Sequence, residues 1–310
     1  METLQKSVSE IRDERFNRIG TLPFESVGRT STGVGSSFFS AINDIWSQRS
    51  MLDLLIRRDL KSKYKDSVLG FFWSLIKPLT QLLIYYIVMG KFLGAARGIP
   101  NFAIYIFAGL TAYSFFSEII SSGTSSIVSN SPLIKKIYLP REIFPLASVG
   151  SALFNFAMQF TILIIATLVL GEFPWSSKIV FLFPALGIIL VYGTAFALLL
   201  GALNVYLRDI QYLVEVGLMI LMWASPIVYS LEMVTHVIRS SFILDLYVNN
   251  PLTLAVLGFQ RALWMGGGAN TIYPPDHFLR MIIAIVVGLV ILVLFQRVFS
   301  RVQGNFAQEL

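Results

Sequence analysis

Two stretches of this sequence, 143–170 and 179–201, contain no Asp, Glu, Lys or Arg residue. An apolar helix of roughly 20 residues satisfies its backbone hydrogen bonds internally and is long enough to cross the hydrocarbon core of a bilayer. Over the whole chain of 310 residues, 55% are hydrophobic and only 14% are charged. A soluble domain carries about a quarter charged residues. The sequence therefore predicts an integral membrane protein.

Six stretches have the length and apolar content of a transmembrane helix. They are 68–90, 102–122, 143–170, 179–201, 212–230 and 278–299. We therefore predict an all-α integral membrane protein whose residues 67–302 form a six-span transmembrane domain.

The orientation of these spans follows from the distribution of basic residues. With the N-terminus placed inside the cell, seventeen Lys and Arg residues lie in the inner segments and five in the outer loops. Because inner segments carry the excess of basic residues, the sequence predicts an N-in/C-in topology, with 303–310 as a cytoplasmic C-terminus.

The region before the first span divides into two parts. Residues 1–40 are of mixed charge and then rich in Gly, Ser and Thr, which is typical of a mobile cytoplasmic tail. Residues 41–66 show apolar positions at helical spacing beside a basic face. That face consists of Arg57, Arg58, Lys61 and Lys65. The pattern predicts a helix in the membrane interface with its basic side toward anionic headgroups; the alternative is an amphipathic helix packed on a partner.

The loop between spans five and six, 231–277, is long and apolar in places. Asn250 and Pro251 are typical of an N-cap followed by proline in the first helical turn, and a run of glycines follows at 266–268. A helix between them is too short to span the bilayer. We therefore predict short re-entrant or interfacial helices on the outer side between spans five and six; the alternative is an ordinary surface helix-loop.

The connector between spans two and three reads SNSPLIKKIYLPREIFP over 129–145. Apolar and basic residues alternate between Pro132 and Pro140 in a way that gives a short helix one apolar and one basic face. Proline at each end limits its length. We predict an amphipathic helix over 132–140 that docks in the groove of a partner protein.

Several kinds of chemistry are missing from the sequence. It contains no phosphate-binding P-loop motif, no motif of a nucleophilic enzyme and no cysteine, so thiolate ligands and disulfides are excluded. His236 and His277 are not set in a metal-binding spacing, and we predict no metal site.

The net charge of +6 comes mostly from residues that flank the spans, which favours a membrane surface over nucleic acid. Glu118 and Glu215 lie near the inner ends of their spans, where they are not proton-relay residues at the bilayer centre.

Aromatic residues make up 14% of the chain, and a subset is a candidate lining for a translocation path. The candidates are Trp73, Tyr85, Tyr86, Tyr105, Tyr113, Phe115, Phe116, Trp223 and Tyr229. Aromatic faces attract the polarised C–H groups of a sugar ring, so the set fits a carbohydrate path. The alternative for each residue is contact with lipid or with a neighbouring helix.

Four segments carry a resemblance to a known family. They are RRDLKSKYKDSVLGFFWSLIKPL (57–79), SPLIKKIYLPREIFPL (131–146), LGALNVYLRDI (200–210) and SPIVYS (225–230). Together they resemble the membrane subunit of type-two ABC exporters, and most nearly the branch that moves lipid-linked polysaccharides such as O-antigen, capsule, wall teichoic acid or galactan. The resemblance runs from about residue 50 to the C-terminus.

The resemblance implies a homodimer in the bacterial plasma (inner) membrane, paired with two copies of a separate ATPase that hold the ATP and Mg. No cofactor is then expected in this chain. The connector would be the coupling helix that contacts the ATPase, and the basic helix would be a second contact. The coupling residues would be Leu133, Ile134, Lys135, Lys136, Tyr138, Arg141 and Glu142. Asn204, Arg208 and Asp209 would stabilise the inner loop between spans four and five.

Two alternatives stay open beside a polysaccharide exporter. One is a type-two ABC exporter of a drug, lipid or other small molecule. The other is an integral membrane transferase acting on glycan lipids, which predicts paired carboxylates near Asp245 and Asp276.

Overall fold

The apolar stretches form helices in the computed structural model, which describes residues 43–64, 73–92, 94, 99–136, 139–169, 176–266 and 271–310. Within these residues all regular structure is helical, which confirms the all-α class. The helices are α1 (Arg49–Tyr64), α2 (Trp73–Tyr85), α3 (Phe102–Ser129), α4 (Ser131–Ile134), α5 (Ile143–Val169), α6 (Leu182–Tyr206), α7 (Ile210–Trp223), α8 (Leu231–Val237), α9 (Ser241–Val248), α10 (Pro251–Leu263), α11 (His277–Val302) and α12 (Phe306–Glu309). A π-helical segment, Tyr86–Phe92, continues α2, and 3-10 turns at Ser177–Phe181 and Gln303–Asn305 precede α6 and follow α11.

Four of the described helices are long and apolar enough to cross a bilayer: α3, α5, α6 with its leading turn, and α11 with the turn that follows it. They overlap the predicted spans two, three, four and six. A fifth crossing arises if α9 and α10, which are bent by 72° at the break between them, form one broken span. The number of six spans and their orientation stay predictions.

The predicted first span, 68–90, lies partly outside the described residues. Its described part is α2 and the π-helical segment after it, with α2 running through Pro78 without a break. The side chain of Lys77 lies outside the described set.

The predicted fifth span, 212–230, is wrong in its last third. Helix α7 ends at Trp223, and residues 224–230 are not helical. The physical reason is Pro226, which has no N–H to donate and disfavours helical backbone at the residue before it. The carbonyl oxygens of Pro226 and Tyr229 accept hydrogen bonds from the hydroxyl of Tyr105 at 3.1 and 2.8 Å, which stabilises the irregular segment.

Helix α3 is the centre of the bundle, and it packs against α5, α6 and α10 along a mostly buried surface. Two glycines allow α3 and α6 to approach closely. A Cβ atom at Gly201 would lie 2.9 Å from the carbonyl oxygen of Gly123, and one at Gly123 would collide with Ala197. Small residues at helix crossings are the usual way in which membrane helices gain van der Waals contact.

The loop 231–277 contains short helices, as the sequence predicts. The side chain of Asn250 accepts a 3.1 Å hydrogen bond from the amide of Leu252, and Pro251 occupies the first turn of α10. Nearly every residue of α10 is buried, and the helix packs between α3 and α6. An ordinary surface helix is therefore wrong for this part of the loop, while re-entry into a membrane stays a prediction.

The predicted interfacial helix is α1, which packs along α5. Leu55 is only 1% exposed, and Ile56 occupies the space that a side chain at Gly150 would fill. Arg57 and Lys61 are exposed on the other side. The predicted tail, 1–40, and the predicted basic residue Lys65 lie outside the described residues.

Candidate coupling site and candidate translocation residues

The connector, defined here as residues 130–142, contains one helical turn. Helix α4 covers Ser131–Ile134, and a turn at Lys135 and Lys136 follows it. The described helix is thus shorter than the predicted 132–140. Ile137 and the predicted coupling residue Tyr138 lie outside the described residues, and the next described helix begins at Ile143.

The described side chains of the connector differ in burial. Ile134 is buried in an apolar cluster with Phe144, Phe299 and Phe306, and Leu133 packs against the same cluster. Lys135 and Lys136 are exposed. The apolar side thus fixes the connector to its own chain, and the lysines face outward.

Arg58 joins α1 to the start of the connector. Its Nη2 donates a 2.6 Å hydrogen bond to Oδ1 of Asn130, and its Nε and Nη2 also donate to Oδ1 of Asp59. The side-chain Nδ2 of Asn130 donates in turn to the carbonyl oxygen of Ser126 at 2.7 Å. This chain of contacts connects α1, the connector and the last turn of α3.

Glu142 joins the other end of the connector to the C-terminal residues. Its carboxylate is buried and accepts hydrogen bonds from the hydroxyl of Ser300 at 3.4 Å and from Nε2 of Gln303 at 3.2 Å. The guanidinium of Arg141 lies 5.7 Å above the ring of Phe306, which is completely buried. The predicted cytoplasmic C-terminus therefore packs against the connector.

A second polar contact fixes α1 to the bundle. The carboxylate of Glu118 on α3 accepts a 2.8 Å hydrogen bond from Nζ of Lys63 on α1, and the same oxygen accepts from the side-chain amide of Asn155 on α5. These bonds join α1 to both α3 and α5.

The loop between α6 and α7, which the sequence predicts to be on the inner side, carries the other residues that the resemblance implies. Asn204 is buried and donates a 3.1 Å hydrogen bond to the carbonyl oxygen of Thr124 on α3. Arg208 and Asp209 are exposed, and Asp209 stands at the start of α7. Of the three, only Asn204 is thus seen to bind another helix directly.

Three of the candidate path residues meet at the irregular segment after α7. The hydroxyl of Tyr229 donates to the carbonyl oxygen of Trp223 at 2.6 Å and lies 3.2 Å from the hydroxyl of Tyr247. Tyr105 binds the same segment through Pro226 and Tyr229. Sequence reasoning missed Tyr247, although it is a tyrosine in the apolar loop beside the other candidates.

The remaining candidates occupy different surroundings. Tyr113 donates to the carbonyl oxygen of Leu218 at 3.0 Å, and the hydroxyl of Tyr85 lies 3.8 Å from the sulfur of Met222, so both contact α7. Phe115 and Phe116 are buried, and Phe115 stacks on Phe156. The Lys91 ammonium lies 5.6 Å from the ring of Tyr86. Trp73 and Trp223 are exposed by 44% and 47%.

The acidic and histidine side chains of the loop do not form a metal cluster. The guanidinium of Arg280 donates to Asp245 at 3.3 Å and to Asn249 at 3.0 Å, which ties α9 to α11. His277 is buried, with Nε2 3.3 Å from the carbonyl oxygen of Leu254, whereas His236 is exposed. Across the described ranges, no group of three or more His, Asp or Glu residues could hold a metal ion.

A comparison with protein-family models matches residues 52–264 to the family described as ABC-2 type transporter. The chain belongs to the ABC-2 type transporter family. The matched region runs from α1 to the end of α10 and so includes the connector. Members of this family are transporter membrane subunits rather than enzymes, and a multi-pass position in the bacterial inner membrane fits the apolar helices.

Curated relatives of this transporter are O-antigen export system permease proteins called RfbA. Two from Klebsiella pneumoniae are each 29% identical over 269 residues, which cover 84% of this chain and 96% of the relative. One from Myxococcus xanthus is 29% identical over 221 residues, covering 71% of this chain and 82% of the relative.

Proposed function

We propose that this chain is the membrane permease of an ATP-driven exporter that moves a lipid-linked, O-antigen-like polysaccharide across the plasma membrane. The observation that carries the proposal is the similarity to O-antigen export permeases over 96% of their length. A continuous match over 84% of this chain necessarily includes the connector and the helices from α3 to α7.

The energy would come from a separate ATPase, because the sequence contains no P-loop. ATP and Mg would be bound by two copies of that partner. Lys135 and Lys136 are exposed on the connector, and Arg57 and Lys61 are exposed on α1. These two basic surfaces suit contacts with the ATPase, on the side that the positive-inside rule places in the cytoplasm.

Two copies of the chain would form the passage. Helix α7 exposes a long apolar face that includes Leu213, Val216 and Ile220. Such a face suits a second copy or lipid, and the arrangement we propose pairs α2 and α7 of one copy with those of the other. The tyrosines at the end of α7 would then lie near the outer mouth.

Closure of the two ATPase subunits on ATP would push the connector. Because Asn130 is bonded to α1 and Glu142 to the C-terminal residues, a movement of the connector alone would break these hydrogen bonds. Lys63 and Glu118 would pass the motion on to α3. These contacts thus favour a movement of the whole bundle that opens the passage between the two copies.

The proposal is tested with the permease and its co-purified ATPase in proteoliposomes. Labelled lipid-linked glycan is added to the ATPase side, and a membrane-impermeant glycosidase reports the glycan that reaches the other side. We expect translocation that needs ATP, with an ATPase variant that cannot hydrolyse ATP as the control. ATP hydrolysis stimulated by a drug or phospholipid while the glycan stays in place would favour the small-molecule exporter instead. Covalent alteration of the glycan lipid would favour the transferase.

A further inference from the structure

A cavity of about 160 Å³ lies at the end of the bundle opposite the connector. Its walls come from the residues before α3, the start of α8, the end of α10 and residues 271–273. One water needs about 10–15 Å³ of such space, so the cavity holds on the order of ten waters or one sugar ring. It lies within a single chain and is separate from the exposed face of α7.

Aromatic side chains form much of the wall. Tyr105 and Trp264 pack edge to face with ring centroids 4.9 Å apart, and Tyr273 also lines the cavity. The indole N–H of Trp264 donates to the carbonyl oxygen of Pro100 at 2.7 Å, which fixes the ring. Rigid aromatic rings attract the polarised C–H groups of a pyranose.

Gln260 supplies an acceptor without a partner. The side chain is completely buried and lines the cavity, and its Nε2 donates to the carbonyl oxygen of Pro226 at 2.9 Å. Its Oε1 has no hydrogen-bond partner in the described part of the chain. An unpaired buried acceptor is unfavourable, and a hydroxyl group in the cavity would supply the missing donor.

The other polar groups of the cavity also suit a ligand rich in hydroxyls. Glu232 adds an exposed carboxylate at α8, and Ser230 adds a hydroxyl. Burial raises the pKa of Tyr273 to about 12, against the opposing effect of Arg261, so its hydroxyl stays protonated and can donate. The lining contains no Lys or Arg among the described residues, which disfavours an anion.

We propose that this cavity binds one neutral sugar ring of the exported glycan as the chain emerges at the outer mouth. The inference rests on the proposed function and on the predicted topology. Gln260 and Glu232 accept hydrogen bonds from the sugar hydroxyls, and the aromatic wall contacts the ring.

Binding is measured on the full-length permease with its co-purified ATPase in lipid nanodiscs, without ATP. Saturation-transfer NMR uses the methyl glycosides of glucose, galactose, mannose, rhamnose and N-acetylglucosamine as probes, with tetramethylammonium as a cationic probe. We expect at least one glycoside to bind, and Gln260→Met to weaken it about three- to tenfold, the value of one neutral hydrogen bond. Glu232→Gln should weaken it by about threefold or more.

His236→Gln is the matched control, because His236 is exposed on the same helix as Glu232 and lies outside the cavity. It should leave binding unchanged. If Gln260→Met does not fold, Glu232→Gln and Tyr273→Phe decide the question, since Glu232 is exposed and Tyr273→Phe removes only one hydroxyl.

Three results would overturn the inference: no glycoside binds, so that the cavity contains water only; binding is equal in every variant, so that the site lies elsewhere; or only tetramethylammonium binds in a manner that depends on Glu232. The proposed function is judged separately. Translocation in proteoliposomes without glycoside binding removes the cavity site alone, whereas glycoside binding without ATP-driven translocation removes the exporter function.

Discussion

Arg58 on α1 donates a 2.6 Å hydrogen bond to the side chain of Asn130, 72 residues further along the chain and at the first position of the connector. The side chain of Arg58 is 43% exposed, so the contact stabilises the fold by no more than about 1 kcal/mol. The contact matters for coupling more than for stability. It holds α1 and the connector together at the place where the proposed ATPase would contact both.

Replacing Arg58 by Ala should therefore separate transport from ATP hydrolysis. We expect a nearly unchanged unfolding temperature and an approximately fivefold lower ratio of glycan translocated to ATP hydrolysed, which corresponds to the loss of about 1 kcal/mol of coupling. Arg49→Ala is the control, because Arg49 is exposed at the start of α1 and its guanidinium lies over the ring of Trp46, one turn earlier in the chain. Equal ratios in the two variants would show that the bond to Asn130 plays no part in coupling.

The buried carboxylate of Glu142 should contribute to stability as well as to coupling. Glu142→Ala removes the acceptor for Ser300 and Gln303, at a cost of about 1–3 kcal/mol. We expect a lower unfolding temperature in detergent, followed by tryptophan fluorescence. In a double-mutant cycle, Gln303→Ala should add little to Glu142→Ala, since both remove the same bond. Full additivity of the two changes would contradict the contact.

The exposed lysines of the connector should affect binding of the partner ATPase and not the stability of this chain. Changing Lys135 and Lys136 to Glu reverses two charges on a surface where both side chains are exposed. We expect normal insertion and stability but weaker co-purification of the ATPase, and a loss of ATP-driven translocation that high salt partly offsets by screening the repulsion. Lys178→Glu, on a loop predicted to be outside, is the control. If transport survives the double reversal, the lysines serve only to orient the loop.

Local patterns in the sequence predicted the parts of the fold that local physics decides. The charge-free stretch 143–170 corresponds to the helix Ile143–Val169. A long run of apolar residues bounded by polar ones indicates such a helix from local sequence alone. Asn250 and Pro251 likewise marked the start of α10. The end of α7 was missed because its apolar residues continue past Pro226, although that proline was the available signal.

The contacts of the candidate coupling site could not be predicted in the same way. Glu142 and Gln303 are 161 residues apart, and no pattern in the sequence around either residue indicates a contact with the other. The buried Phe306 was a faint signal, as an aromatic residue in an otherwise polar tail. Gln260 was another, because a glutamine inside an apolar helix needs a partner. The sequence alone shows that such residues are unusual in their surroundings, but it does not show which residues they contact.

The crossing of α3 and α6 gives a prediction about stability with a matched control. At Gly201 an added Cβ would lie 2.9 Å from the backbone oxygen of Gly123, so the helices must separate, at a cost of about 1–3 kcal/mol. At Gly304, in the 3-10 turn after α11, nothing in the described part of the chain lies within 4 Å of the added atom, so an Ala there should leave the packing unchanged. Gly201→Ala should thus lower the unfolding temperature in detergent and Gly304→Ala should leave it nearly unchanged. A higher temperature for Gly201→Ala would mean that α3 and α6 do not cross at these glycines.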